Sequence, residues 1–460
     1  MNSESNSDPS STPVGAFPTL DADLTLDVAI LGDGLAALLT ALSLHKSGQR
    51  VALLAPGRLL PDRNEPLADY AAITEPTQPT RWLGELDLRR ATLVAEAHRQ
   101  AVRQMQVLAA QVSDCDFTPI PILAVAEYAD DLLAVERRCA MSRALRGDSW
   151  FTHDVQLPFV CAGASREEAH ARLRLPPLLT ALAAELQMLG GKIFENSPCV
   201  DPTKLDGGQT ILFEQGRVRC DRVLICGRIP HAGRAELDAR LLSLHAYHLA
   251  ARVMQPLPDA IFTMKENPTR TFWRAEKGNP TKVIFRAEYL GDQPGRQSLK
   301  FDELACFAAS RFSIRGVDAK WSHHQLIAPD GLPLVGPMPQ SERLFLLAGS
   351  PHQGLPWAMT CAEVAVDLIL GRQSQWGEIF TPGRLLQLRE GVPHAARSPR
   401  TAAFDSSSAS SSLLRNRSAI LSSPALSPFP SSDTSPTAAP VYSPLTYPYA
   451  AKERDLRRRY

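Results

Sequence analysis

The chain has almost no electrostatic bias. Its 49 Lys and Arg balance 49 Asp and Glu, for a formal net charge of +0 and a pI near 7.2. A general nucleic-acid binder needs a basic face to neutralise phosphates, so composition argues against that class. No apolar run reaches the length of a membrane span, because the best ones are broken by Gly, Pro or charge. Eight cysteines (Cys115, Cys139, Cys161, Cys199, Cys220, Cys226, Cys306 and Cys361) are scattered without a C-x-x-C pair. That spacing fits neither a zinc framework nor a disulfide scaffold and predicts thiols in a reducing compartment. The opening MNSESNSDPSSTP lacks the basic and apolar regions of a secretory signal. No internal repeat is visible. The expectation is a cytoplasmic protein of two or three domains, with no integral membrane segment, no nucleic-acid partner and no metal site.

Against these absences stands one organising stretch, Asp27 to Pro56, DVAILGDGLAALLTALSLHKSGQRVALLAP. Val28 to Leu31 is an apolar run short enough for a buried parallel strand. Gly32, Gly34 and Ala37 supply G-x-G-x-x-A, Leu35 to Lys46 is a Leu/Ala-rich helix closed by Gly48, and Val51 to Leu54 is a second strand. In such a βαβ unit the first Gly allows the tight turn and the second lets backbone approach a pyrophosphate. The small third residue lets helix and strand pack closely, so bare N–H groups face the phosphates. Two positions depart from the usual unit: Ala55 stands where an acid would hold an adenosine ribose, and Asp33 sits between the glycines.

Residues 1–22 are polar and Pro/Ser-rich, and are expected to be a disordered lead-in. From residue 393 to 460 a Ser/Pro/Ala-rich tail cannot bury enough apolar surface to order itself. Between them the periodicities predict helices at about 85–111, 130–144, 176–189, 302–311 and 357–370. They predict buried strands at 222–226 and 344–347, and a hairpin around Gly216. Half-buried antiparallel strands fall at 245–254, 271–273 and 281–288. The nucleotide domain is thus expected in three pieces, 23–115, 166–230 and 325–392, interrupted by a second domain at 116–165 and 231–324.

Three segments carry a family resemblance: the βαβ unit, CDRVLICGRIP ending in Gly227 and the residues after it, and Trp321 to Gly371. The last reads WSHHQLIAPDGLPLVGPMPQSERLFLLAGSPHQGLPWAMTCAEVAVDLILG. Together they resemble the FAD-dependent amine and amino-acid oxidoreductases of the D-amino-acid oxidase and glycine oxidase superfamily. The resemblance covers about residues 24 to 385. It implies an α/β fold, a Rossmann-like FAD-binding domain interrupted by an antiparallel-sheet substrate domain. It also implies contacts to FAD from Gly32, Gly34, Ala37, Val200, Gly227 and the Gly349–Gly354 turn with His352. His323 stands by count where related sarcosine oxidases carry a flavin-attaching Cys, which implies non-covalent FAD.

The implied activity is oxidation of a C–N bond in a small amine or amino acid by hydride transfer to flavin, with oxygen or a quinone as electron acceptor. Candidates for the flavin face are Tyr247, His248, Arg274, His323, His324, Gln325 and His352. On an extended segment His323 and His324 point to opposite faces, so at most one faces the pocket. Gln325 stands where glycine oxidase-like members carry an Arg for the substrate carboxylate, and Arg274 is an alternative anion site. Two other readings stay open. One is a non-catalytic flavin-fold subunit or scaffold, favoured by Ala55 and Asp33. The other is a NAD(P)-linked reductase, weakened because no second G-x-G-x-x-G is visible.

Overall fold

A computed structural model describes residues 17–60, 71–72 (backbone only), 86–168, 170–199, 210–227, 237, 240–264, 268–276, 278–291, 297–339, 341–349 and 355–387. The chain divides into two units, Met1–Ser407 and Ser408–Tyr460, and every described residue lies in the first.

In chain order the first elements are β1 (Leu24–Leu31), α1 (Gly34–Lys46), β2 (Val51–Leu54), β3 (Ala71–Ala72), α2 (Leu88–Ala109), β4 (Thr118–Pro119) and β5 (Ile122–Ala126). There follow α3 (Leu132–Ala144), β6 (Ser149–Thr152), β7 (Gly163–Glu167), β8 (Ala171–Leu173), α4 (Leu175–Met188), β9 (Lys192–Phe194), β10 (Thr210–Leu212) and β11 (Arg217–Cys226). The second half contains β12 (Leu242–Val253), β13 (Ile261–Met264), β14 (Thr269–Glu276), β15 (Asn279–Leu290), α5 (Gln297–Arg311), β16 (Ile314–Ile327), β17 (Leu334–Met338), β18 (Ser341–Ala348) and α6 (Leu355–Ile369).

The first sheet runs β17-β18-β11-β1-β2-β9, with β10 paired antiparallel to β11. Strand β1 pairs parallel with both β2 and β11, and β18 continues the parallel set beyond β11. Val28 to Leu31 and Val51 to Leu54 are buried throughout, as strands covered on both faces must be. Helices α1, α4 and α6 cover one face through Leu38, Leu42, Leu179, Leu182 and Val366. On the other face Ala29, Leu31, Leu54, Ile225 and Leu346 form a second core. The chain leaves β1 toward β2 and later returns on β1's other side as β11. The strand order therefore reverses at β1, and crevices for ligands form outside the carboxyl ends of strands at such a point.

The second sheet has eight strands in the order β16-β12-β15-β14-β13-β5-β7-β6. All its pairings are antiparallel except β5 with β13. Helix α5 packs one face, where Phe262, Phe272, Phe285, Leu304 and Phe307 form an aromatic-rich core. A third, small sheet of β3, β8 and β4 adjoins it through Arg172, whose guanidinium pairs with Asp259 at 2.9 Å.

Three observations differ from the sequence expectations. Strands β6, β7 and β8 (SWFT, GASRE, ARL) are short, with little apolar pattern of their own, and are extended because neighbours supply their ladder bonds. Strand β16 is 14 residues long at the edge of its sheet, and its alternation of half-buried and exposed residues slips once, at the bulge around Asp318. Phe17 and Leu20, assigned by composition to the lead-in, are packed: they are buried in the two cores that flank the first sheet. The tail from residue 393 lies outside the described residues. No described helix is long and apolar enough to cross a membrane.

Candidate cofactor and substrate site

The glycines expected to contact FAD lie in the turns at the carboxyl ends of β1, β11 and β18. Gly32 has φ +138, and a Cβ there would sit 2.4 Å from the Cys226 carbonyl oxygen, so no larger residue fits between β1 and β11. Its N–H donates to the Leu54 carbonyl at 3.0 Å, which ties the turn to β2. Gly34, the first residue of α1, has φ +83 and nothing within 4 Å of a built Cβ. This is open space at a helix N-terminus. The N-cap residue Asp33 is exposed, its side chain makes no capping hydrogen bond, and the first turn of α1 holds no acid. The leading N–H groups of α1 therefore face a cradle with no side-chain carboxylate capping them, which suits an anion. Ala37 is fully buried, so α1 can lie close to the sheet.

Gly227 ends β11 with φ +84 and open space beside it, and its N–H donates to Leu347 at 2.9 Å. Gly349 ends β18 with φ +67, and a Cβ there would lie 3.3 Å from Leu334 Cγ. Three turns, after β1, β11 and β18, thus lie on one edge of the sheet. The open space beside Gly34 and the leading N–H groups of α1 fit the pyrophosphate of a dinucleotide. Ala55, buried at the end of β2, offers no acid to a ribose. The buried carboxylate nearby, Glu195, accepts the N–H groups of Leu59 (2.7 Å) and Phe17 (3.2 Å) instead. Val200, His352 and Gly354 lie outside the described residues.

The D-G-x-P segment shapes the approach to Gly349. Asp330 is buried, accepts the Leu332 N–H at 3.0 Å and pairs with Arg384 at 2.7 Å. The strap it holds joins β16 to β17 and passes Gly349, whose built Cβ lies 3.6 Å from the Ala328 nitrogen. The end of β16 therefore abuts the turn after β18, and the second sheet meets the cofactor edge there.

Period-2 alternation sorts the second sheet into two faces. On the face opposite α5, one row crosses five strands in register: Trp321 (β16), His248 (β12), Arg286 (β15), Thr271 (β14) and Thr263 (β13). The next row toward the cofactor edge holds His323, Ala246 and Glu288, followed by Gln325 on β16. The His248 ring stacks between Trp321 (centroids 4.7 Å) and His323 (4.9 Å). Arg286 is 1% exposed and pairs with Glu288 two residues on. His248 Nδ1, Arg286 Nε and Gln325 Oε1 are buried with no hydrogen-bond partner among the described residues.

The electrostatics follow from burial. It pushes the His248 imidazole well below its ordinary range, and the positive Arg286 and then His323 push it further. Burial raises Glu288 against the pull of Arg286. The strip is thus polar and largely withdrawn from water, with unused donors and acceptors at His248 and Arg286, and is bordered by the apolar Ile261, Trp273 and Ile284.

The structure does not bring the remaining candidates to this strip. Tyr247 faces α5, edge-on to Phe301 (5.1 Å) and Tyr289 (5.6 Å). His324 stacks on His245 (4.4 Å) and bonds Ser243 Oγ at 2.7 Å on that same side. Arg274 donates to the Leu257 carbonyl and lies 4.0 Å from Asp259. Of the sequence candidates, His248, His323 and Gln325 share the strip. Arg286 and Glu288 were missed, although VIFRAEYL places both charges on the face of Ile284, away from Phe285 and Ala287. Asking which charges fall on an inward strand face would have found them.

A family model described as DAO, FAD dependent oxidoreductase, matches residues 27–368. A Bacillus subtilis (strain 168) protein, YhfW, named as a Rieske 2Fe-2S iron-sulfur protein, is 22% identical over 383 residues, covering 81% of this chain and 74% of that one. The fold is similar to glycine oxidase from Bacillus cereus ATCC 14579 (TM-score 0.59, 16% identity, 80% of this chain and 100% of that one). It is also similar to L-proline dehydrogenase from P. horikoshii (TM-score 0.60, 13% identity, 80% and 100%).

Proposed function

The chain belongs to the FAD-dependent oxidoreductase family, and from that premise we propose that it oxidises the C–N bond of a small amine or amino acid. The observation that carries this reading is the polar strip of buried His248 and Arg286 with half-buried Glu288, His323 and Gln325, set against the Gly349 turn where the cofactor edge meets the second sheet. Solved structures similar in fold are named as a glycine oxidase and an L-proline dehydrogenase, which supports an amino-acid or amine substrate.

Gly32, Gly34 and the N-terminus of α1 would hold the pyrophosphate, with Gly227 and Gly349 bounding the rest of the cofactor. When bound, FAD supplies a two-electron acceptor for the hydride released from the carbon that bears nitrogen. The protein's own part is positioning and desolvation. The buried strip replaces water around the polar end of the substrate with fixed groups. His248, neutral by burial, can accept or donate one hydrogen bond without carrying charge. His323 occupies the place of a flavin-attaching Cys, and attachment is proposed to be non-covalent. An iron–sulfur cluster is not part of this reading.

The purified protein is expected to be yellow and to release its flavin into the supernatant on acid precipitation. It should bleach anaerobically when a substrate amine is added. Colourless protein that takes up no added FAD would overturn the enzyme reading and leave the scaffold reading.

A further inference from the structure

We propose that Arg384 is a positioning residue for the flavin: through Asp330 it pins the strap that joins the two sheets beside the Gly349 turn. This rests on the FAD-binding reading above. Beyond α6 the described chain ends in two short helices, α7 (Gly377–Phe380) and α8 (Arg384–Gln387). Neither is long enough to be stable alone, so each is held by what it packs on.

They pack on the cofactor edge, and from two sides. The Phe380 ring, fully buried, lies edge-on to Trp357 with centroids 5.7 Å apart. Trp357 belongs to the first turn of α6, the helix that follows the Gly349 turn. Leu385, also fully buried, shares a core with Ala328, Leu334 and Ala348, which surround Gly349. Pro382 lies against the next strand, where a Cβ on Gly336 would meet its Cδ at 3.3 Å. The segment thus braces both walls of the turn.

Arg384 supplies the directional contacts. Its Nε donates to Asp330 Oδ2 at 2.7 Å, and its Nη2 to Asp330 Oδ1 at 3.2 Å. Nη2 also donates to the Leu332 carbonyl at 2.8 Å, and Nη1 to the Thr381 carbonyl at 3.2 Å. All the guanidinium nitrogens are therefore engaged, in a pair whose side chains are only 15% and 6% exposed. A buried ion pair is a poor source of net stability, but a planar fork fixes direction as a point charge cannot. The strap's own restraints are short: Gly331 N–H donates to Ala328 at 2.9 Å and Leu332 N–H to Asp330 at 3.0 Å. The strap runs from Ile327, at the end of β16, to Leu334, at the start of β17. Its position therefore sets the spacing between the polar strip and the cofactor edge, on which hydride transfer depends steeply. Arg384 acts through the strap, so its role is positioning.

The test uses flavin-loaded protein, with FAD release on dilution read from flavin fluorescence and thermal unfolding followed on the same samples. Arg384→Met should weaken FAD binding about tenfold or more, as loosening the shell behind a bound group does. Arg172→Met is the control, because it breaks the comparable Arg172–Asp259 pair elsewhere in the fold. It should lower the melting temperature and leave FAD affinity unchanged. Arg384→Lys keeps the charge and loses the fork, so it should recover most of the melting temperature and little of the FAD affinity. Should the variants not fold, hydrogen exchange of wild type decides: FAD should slow the Gly331 and Leu332 amides more than those of β14. Equal FAD affinity in Arg384→Met and Arg172→Met would overturn the positioning role and leave the flavoprotein reading intact. So would full recovery of both readouts in Arg384→Lys, or equal protection of the strap and β14. Wild type that takes up no FAD would overturn both.

Discussion

Gly32 and Gly34 are two residues apart and meet opposite surroundings, so substituting each should produce a different lesion. A methyl group on Gly32 would collide with backbone of β11, at a φ that side chains rarely adopt. Gly32→Ala should cost on the order of 2–4 kcal/mol of stability from overpacking and backbone strain together. A methyl group on Gly34 meets nothing, so Gly34→Ala should cost only the strain of its positive φ, about 1–2 kcal/mol. It should still weaken FAD binding severely, because the methyl projects into the space where a phosphate would rest. Thermal unfolding of the apoproteins beside FAD titration separates the two. Unchanged FAD affinity in Gly34→Ala would show that the space beside Gly34 is not a ligand cradle.

Among elements, the least legible is the segment Phe17–Leu20. Glu195 N–H donates to the Pro18 carbonyl at 3.1 Å, and the Leu20 N–H donates to Ser197 Oγ at 2.9 Å. The Glu195 carboxylate, 1% exposed, meets the N–H groups of Phe17 and Leu59, one on each oxygen. It therefore fastens the start of the described chain and the loop after β2 to the end of β9. Glu195→Gln keeps the shape but turns one acceptor into a donor facing an N–H. The expected cost is about 1–3 kcal/mol, since a buried donor is left unmet. Limited proteolysis should then cut earlier within 55–60, and FAD should protect that loop less. An unchanged cleavage pattern would mean that the apolar burial of Phe17 and Leu20 alone holds the segment.

Across the whole molecule, three buried imidazoles set the response to acid. Burial holds His98 at about 4 and His170 at about 3, with Arg99 adding to the first, and His98 and Arg138 to the second. Burial likewise keeps His248 well below 6.5. Each stays neutral in the folded chain while the unfolded chain takes up a proton below 6.5. The unfolded state then binds more protons, so stability falls as pH drops, down to about 4 for His98 and lower for His170. His98 packs edge-on to Trp357 with ring centroids 5.4 Å apart, so His98→Phe keeps an aromatic ring while removing one titration. By about pH 4.5 the variant should escape on the order of 2–3 kcal/mol of the acid penalty. Melting temperatures between pH 7 and 4.5 would show it, and parallel curves would place the sensitivity elsewhere. By composition, truncation at residue 392 should leave the melting temperature at pH 7 unchanged; a large drop would show that the tail docks on the body.

What the sequence determined by itself is local or periodic. G-x-G-x-x-A between two apolar runs specified the βαβ unit, because turn, helix and parallel strand each follow from neighbours a few residues away. The alternation of β12 and β15 specified half-buried strands, and extended geometry around 323–324 implied that His323 and His324 part to opposite faces. It could not say which face meets the cofactor, because a strand's two faces become distinct only when something packs on them. Helix α5 took the side of Tyr247 and His324, and that choice left His248, Arg286 and Glu288 on the other. The ladder partners of β6, β7 and β8 and the docking of Phe17 on Glu195 depend on contacts more than a hundred residues apart or on pairings their own composition does not encode. Tertiary packing decided those, because burying a charge or an unpatterned strand is favourable only where the rest of the fold already supplies its partners.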